Sequence, residues 1–324
     1  MTDAADAARQ MWVLAEPVHA VTYFSAEGRA AFTEAGLRGF WRGYFAGRAA
    51  PLGPVGPAPV VASFFTFAPV MVTRALPAVW DLAAPEQALR ARSAGATAAL
   101  RRLLAGAGQA PTGPAAAVPA AAGHAGPAPA GQAAAGLSDD MSARVSRAAD
   151  GLSAALAGVN CAGRVLAAAN AALPVPGEPL ARLWQAATVL REHRGDGHFA
   201  ALVAAGLDGC EATVLRACLD GNREVLQPVR GWTDQEWDQA AGALAGRGWI
   251  AADGTVTAAG RDAHRAVEAA TDRAASRPWQ QLGPAGVAEL AGLLAPIARA
   301  CRAALPFPNP IGLPASPAPA TSSP

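Results

Sequence analysis

Apolar residues recur at helical spacing along most of this chain, and the breaks between runs fall at Gly, Pro and small polar residues. The spacing predicts helices over residues 3–24, 26–36, 38–48, 58–66, 69–80 and 85–106, with no alternating strand pattern among them. From residue 106 to 136 the sequence is almost pure Ala, Pro and Gly, which cannot hold a fixed core, so a flexible surface insertion carrying His124 is expected. Helical spacing returns over 138–156, 161–173, 178–192 and 198–207. These later helices need the first set to bury their faces. The expectation is one helical domain, 1–105 and 138–207, interrupted at 106–137.

The next stretch, 208–278, reads as a smaller module. A short helix is predicted over 211–219, and the run Trp232-Thr233-Asp234-Gln235-Glu236-Trp237 marks a second helix start. Thr233 can cap that helix while Glu236 reaches back to the cap, and Trp232 can close over Trp237 as a staple. Trp237, Ala240, Ala241 and Leu244 then follow one face, and Gly246 and Gly248 bracket the end. Residues 249–251 and 255–257 flank Asp253-Gly254, a pair suited to a tight hairpin, and a further helix begins near Ala258. Helix, helix, hairpin, helix is the order of a winged helix-turn-helix. A last helix near 284–304, within a segment 279–305, precedes a Pro-rich tail, 306–324, expected to be disordered. The fold class expected is mainly α: a multi-helix N-terminal domain and a C-terminal winged helix-turn-helix with a small β-hairpin wing.

The WTDQEW and RGWIAADGTVTAAGR runs resemble the SalK-like family of actinobacterial helix-turn-helix proteins. The resemblance extends to the EPVHAVTYF, GYFAGRAAPLG and REHRGDGH runs, and so to most of the chain outside the insertion and tail. It implies the architecture; it brings no substrate or cofactor with it.

Composition narrows the chemistry. All 26 basic residues are arginine, which together with the Ala, Gly and Pro excess has the look of a GC-rich genome. With no lysine, Schiff-base, Walker-type phosphate and lysine general-base mechanisms are excluded. Cys161, Cys210, Cys218 and Cys301 lie far apart without a Cys-x-x-Cys pair, which points to reduced, cytoplasmic thiols and not to a disulfide framework or thiolate zinc site. The N-terminal segment carries Asp3 and Asp6 and has no basic stretch leading into an apolar one, so no secretory signal is expected. The uncharged run 58–73 is shorter than the roughly 20 residues that span a bilayer and contains Pro59 and Pro69, so it reads as buried helix and no membrane partner is expected.

A net charge of +1 gives no global attraction to nucleic acid, so DNA binding would have to be local. A recognition helix brings its exposed face and first turn to phosphates and bases. Here that turn carries Asp234, Glu236 and Asp238, and only Arg247 answers them on the same helix. Residues 208–277 hold 8 Arg against 11 Asp and Glu, a formal −3, whereas phosphate contacts supply most nonspecific affinity. Gln235 and Gln239 remain as base-reading candidates, with Arg223, Arg230 and Arg261 for the backbone. The alternative use of such a module is packing or homodimer formation.

Three segments concentrate reactive side chains. Arg191-Glu192-His193-Arg194-Gly195-Asp196-Gly197-His198 reads as a helix end whose glycines let the backbone turn. Arg191 is in phase with the apolar stripe Leu180, Leu183, Trp184, Ala187 and Leu190, so it needs an anionic partner, from the protein or from a ligand. In the first helix Trp12, Glu16, His19 and Tyr23 share a face interrupted by Pro17. Trp41, Tyr44, Phe45 and Arg48 align similarly. If the segments meet, Glu16, His19, Tyr23, Tyr44, Arg48, Arg191, His193, Asp196 and His198 would surround one small-molecule cavity. His19, His193 and His198 are also metal candidates, although the five-residue gap between the last two is not the spacing of helical zinc motifs.

The leading reading is thus a small-molecule-binding protein of transcription-regulator type. The alternatives are an enzyme or metal-dependent protein using the His, Asp, Glu and Arg side chains, or a scaffold in which those clusters are structural. No cofactor signature is present to choose among them.

Overall fold

The computed structural model describes residues 3–106, 136–307 and 309–314. The helices before the insertion are α1 (Ala4–Phe24), α2 (Ala26–Glu34), α3 (Phe40–Ala49), α4 (Pro57–Ser63), α5 (Pro69–Thr73), α6 (Val79–Leu82) and α7 (Pro85–Ala105). After it come α8 (Asp139–Leu156), α9 (Val165–Ala171) and α10 (Pro179–Ala204). The C-terminal set is α11 (Gly209–Asp220), α12 (Arg223–Arg230), α13 (Asp234–Gly246), α14 (Ala258–Ala274) and α15 (Arg277–Arg302). Most of the expected Ala/Pro/Gly insertion, including His124, lies outside the described residues.

Starts and stops follow local chemistry. Ser25, Ser138, Glu178 and Asp208 cap α2, α8, α10 and α11 by accepting backbone N–H groups, and Pro179 occupies the first turn of α10. Helices α1, α7, α8, α10 and α15 share a core around Met11, Leu100, Leu152, Trp184 and Leu294. Helices α2 to α7 close over a second, aromatic-rich core with Phe45 and Phe64 fully buried. A third core, around Val214, Trp237 and Leu244, joins α11 to α14.

Helix α10 is the axis of the molecule, and it departs from the sequence reading. It runs unbroken through Gly195 and Gly197, where a helix end and a turn are expected. Gly197 serves packing: a Cβ there would lie 2.5 Å from the Arg164 guanidinium and 3.3 Å from Ala274. Helix α12 was not anticipated either, since its interior Pro228 argues against helix; buried Leu226 and Val229 hold it against its neighbours. It ends on left-handed Gly231 (φ 78°), and residues 231–233 turn the chain into α13.

The β-hairpin wing is absent. Among the described residues there is no strand, only an isolated antiparallel bridge between Ile250 and Val256. The Asp253 carboxylate takes the Thr255 N–H and hydroxyl, and Thr257 already caps α14 by accepting from Gly260. The turn closes with two backbone bonds, Ala251 N–H to the Thr255 carbonyl and Thr257 N–H to the Trp249 carbonyl, and α14 starts at the very next residue, so the pairing stops at a single bridge and no strand forms.

Helix α15 begins earlier than residue 284 and breaks at Gly283 (φ 74°), just before Pro284. Beyond it, the expectation of disorder from residue 306 does not hold for 309–314. The buried Asn309 side chain accepts the Ile311 and Leu313 N–H groups, and Leu305 and Leu313 cover Ala20, Tyr23 and Phe24 of α1.

Candidate functional site

An unbroken α10 sorts its polar residues by phase. Arg191, Gly195, His198 and Leu202 fall on one face, while His193 and Asp196 are turned away. The first set lines a cavity of about 210 Å³, bounded also by α1, α11, α12, α14 and residues 309–312.

At one end of the cavity sits an ion network. Arg48 donates from Nε and Nη2 to the two oxygens of Glu192, each at 3.2 Å, and both side chains are buried. Arg191 donates to Glu192 at 2.8 Å and to Glu16 at 3.4 Å, and Glu16 also accepts from the Trp12 indole at 3.1 Å. Burial works to raise the Glu192 pKa, but Arg191 and Arg48 hold it well below the usual carboxylate range. Arg48 additionally donates to the Tyr44 hydroxyl at 3.2 Å and lies 4.4 Å above the Phe64 ring. The Tyr44 and Tyr23 rings pack 4.8 Å apart.

A second network lies along the other side. Arg194 donates to Asp272 at 2.6 Å, and Arg9 reaches both Asp272 (2.8 Å) and Glu268 (2.5 Å). Glu268 is held below the usual range: burial opposes this, and Arg9, His198 and Arg194 outweigh it.

His19 and His198 share one arrangement. His19 Nδ1 is 3.0 Å from Thr188 Oγ1, and Thr188 gives its hydroxyl proton to the Trp184 carbonyl. His198 Nδ1 is 2.9 Å from Thr271 Oγ1, whose proton goes to the Val267 carbonyl. Each threonine has only one proton to give, so each imidazole donates from Nδ1 and keeps Nε2 as an acceptor. Burial favours these neutral rings: the His198 pKa is pushed down to about 4, and burial followed by Arg191 lowers that of His19.

The nine candidate residues therefore divide. Glu16, Tyr44, Arg48, Arg191 and His198 line the cavity. His19 and Tyr23 border an adjoining space of about 30 Å³, shared with Glu16, Tyr44 and Arg191. Asp196 instead caps α9, accepting the Ala167 N–H at 2.9 Å, and burial raises its pKa to about 6. His193 faces a separate crevice toward Trp279, and burial followed by Arg164 lowers its pKa to about 4. Among the described residues no three His, Cys, Asp or Glu side chains gather closely enough to hold a metal ion, so the three histidines do not form a joint site.

Sequence reasoning left Glu192 and Asn309 out of the cavity set and gave Arg230 only a place against a DNA backbone. Glu192 was within reach, because a carboxylate beside Arg191 in a helix could have answered it; Arg230 and Asn309 carry no local signal. Arg230, last residue of α12, stacks 4.5 Å from the Phe67 ring and donates to the Pro310 carbonyl at 2.6 Å.

On the C-terminal set, Thr233 and Glu236 form the expected capping box, and the Trp232 indole donates to the Thr66 carbonyl. The exposed face of α13 presents Asp234, Gln235, Asp238 and Gln239. Arg223 and Gln227 of α12 bind Asp234. Arg247 is folded back, donating to the Gly206 carbonyl at 2.7 Å beside Glu211 and lying over Trp249.

No helix among the described residues is long and apolar enough to cross a membrane. No curated protein and no solved structure matches the chain. A family profile does, over residues 8–138 and again over 120–308, and with almost the whole sequence covered this chain belongs to a helix-turn-helix family.

Proposed function

We propose that this protein is a ligand-binding regulator of the helix-turn-helix type. Its helical body, 1–105 and 138–207, holds a small molecule, and the module 208–278 responds. The observation that carries this reading is the position of the cavity: α1 and α10 form one side, α11, α12 and α14 the other. A molecule in that seam touches both parts, so it binds some arrangements of α12 and α13 better than others, which is what coupling requires. The mixture of apolar wall and a few charged anchors is that of a small-molecule site. The WTDQEW and RGWIAADGTVTAAGR runs support placing the chain with the SalK-like actinobacterial proteins, and the free thiols fit a cytoplasmic setting.

Family membership makes DNA an eligible partner. The acids on α13 and the engagement of Arg247 elsewhere leave the two glutamines as base readers with little phosphate attraction around them. Output through protein contacts of the same face is consistent with that charge.

The test is native mass spectrometry of the protein after incubation with a metabolite extract, followed by hydrogen exchange. A retained small molecule that slows exchange in α12 and α13 supports the reading. Failure to retain any molecule, or retention without a change in those helices, overturns it.

A further inference from the structure

The charges around the cavity do not balance, and the imbalance has one address. Arg48 is paired with Glu192, Arg191 with Glu192 and Glu16, Arg194 with Asp272, and Arg216 with Asp220. Among the described residues, Arg230 alone of the arginines lining the cavity has no carboxylate within salt-bridge distance. Its neighbours are the Phe67 ring, the Pro310 carbonyl and Tyr44, with Arg48 and Arg191 close enough to repel it. Burial lowers its pKa to about 10; Tyr44 works against that shift, and the two arginines with it. A half-buried guanidinium beside two other cations is stabilised by an anion.

The same helix carries a second unmet group. Asn222, immediately before α12, lines the cavity with only 7% of its surface exposed, and its Oδ1 is buried without a hydrogen-bond partner. It precedes an eight-residue helix that ends at Arg230, a rise of roughly 12 Å. Phe199, Leu202, Leu215 and Leu226 contribute apolar wall to the same cavity. An unmet acceptor at one end calls for a hydroxyl or N–H donor, and an unmet cation at the other calls for a single negative charge.

On the reading of this cavity as a ligand site, we infer that its ligand is an apolar monocarboxylic acid. The carboxylate sits at Arg230 beside Tyr44, the apolar body runs along α12, and a donor group at the far end reaches Asn222. A monoanion matches the surplus of one guanidinium, whereas a phosphate monoester would bring close to two charges. The volume suits such a molecule: about 210 Å³ is available, and a cavity of roughly 150 Å³ takes up benzene. A bicyclic acid is of the right order.

The experiment is isothermal titration of the full chain with 6-hydroxy-2-naphthoate, its neutral carboxamide, unsubstituted 2-naphthoate and 2-naphthyl phosphate. The hydroxy acid is expected to bind roughly ten- to hundred-fold more tightly than the amide, the worth of a charge-assisted contact. Arg230→Gln should erase that preference, and Arg230→Lys should retain part of it, with circular dichroism verifying the fold of both. Equal binding of acid and amide, or a preference that survives Arg230→Gln, overturns the carboxylate assignment while the cavity still binds ligands. Tighter binding of the phosphate than of 2-naphthoate overturns it in favour of a dianion. If none of the four binds, the inference falls, and the broader regulator reading stands or falls on its own metabolite screen.

Discussion

Arg48 and Glu192 meet in a two-pronged ion pair, Nε to Oε1 and Nη2 to Oε2, both at 3.2 Å, with neither side chain more than 4% exposed. The pair ties α3 to α10 and, through Arg191, to α1. A carboxylate so placed offsets the desolvation of two cations. Replacing Glu192 by Gln should cost roughly 3–5 kcal/mol in urea unfolding, because the guanidiniums of Arg48 and Arg191 lose their anion. The double replacement Arg48→Met with Glu192→Leu should recover a large part of that loss. A single-variant loss under about 1 kcal/mol would show the pair to be energetically idle.

Stability should fall on mild acidification. His193 and His198 titrate near pH 4 in the folded chain, and His19 is also lowered, against about 6.5 when unfolded. A folded pKa below the unfolded one means that the neutral ring stabilises the fold. That contribution is complete above pH 6.5 and is lost toward pH 4. Asp196, raised to about 6, acts in reverse: its contribution is present below its unfolded pKa of about 3.8 and disappears as pH rises through 6. Three rings outweigh one carboxyl, so urea midpoints should drop between pH 6.5 and 4.5, and Asp196→Asn should steepen the drop. A flat profile would refute the assignment of neutral, buried imidazoles.

Helix α13 should bind DNA weakly and with a shallow salt dependence. Asp238 is exposed on its outer face, and the cation Arg247 is committed to Gly206 and Glu211. Asp238→Arg should tighten nonspecific binding and steepen the log–log salt slope by roughly one unit. Gln235→Ala and Gln239→Ala should change sequence preference without touching the slope. A wild-type slope like that of a protein contacting six or more phosphates, roughly −5 or steeper, would contradict this account.

Two glycines should respond in opposite directions to alanine. A Cβ on Gly209, at the first turn of α11, would sit 1.9 Å from the Phe65 carbonyl oxygen, so Gly209→Ala should destabilise by roughly 1–3 kcal/mol or more. Gly242 lies exposed inside α13 with open space around it, and Gly242→Ala should stabilise by roughly 0.5–1 kcal/mol. Thermal melts of both variants decide the matter; similar shifts would mean that α11 is not seated on the 65–66 backbone.

Local chemistry was legible wherever it decides structure. The Thr233–Glu236 capping box and the polar stripes of α1 and α3 follow from spacing, and so do most helices before the insertion. What failed depended on neighbours. Gly195 and Gly197 suggested a turn, but α10 continues through both, Gly197 packed against Arg164 and Ala274, and its helical phase sends His193 and Asp196 away from the cavity. Asp253-Gly254 announced a hairpin, and the turn forms, but α14 begins right after Thr257, so the return run is too short for more than the Ile250–Val256 bridge. Arg230 carries no motif; its importance comes from which carboxylates fail to reach it.

The segment closing over α1 also bears on how the chain acquires its shape. Ala20, Tyr23 and Phe24 lie in α1, and part of their cover, Leu305 and Leu313, comes only after α15. During synthesis that part of the apolar patch waits uncovered while every intervening helix emerges, a long-range closure that slows folding and favours wrong partners meanwhile. Trimming the Pro-rich end at residue 306, as its composition invites, would strip Ile311 and Leu313 from the patch and remove the Pro310 wall from beside Arg230.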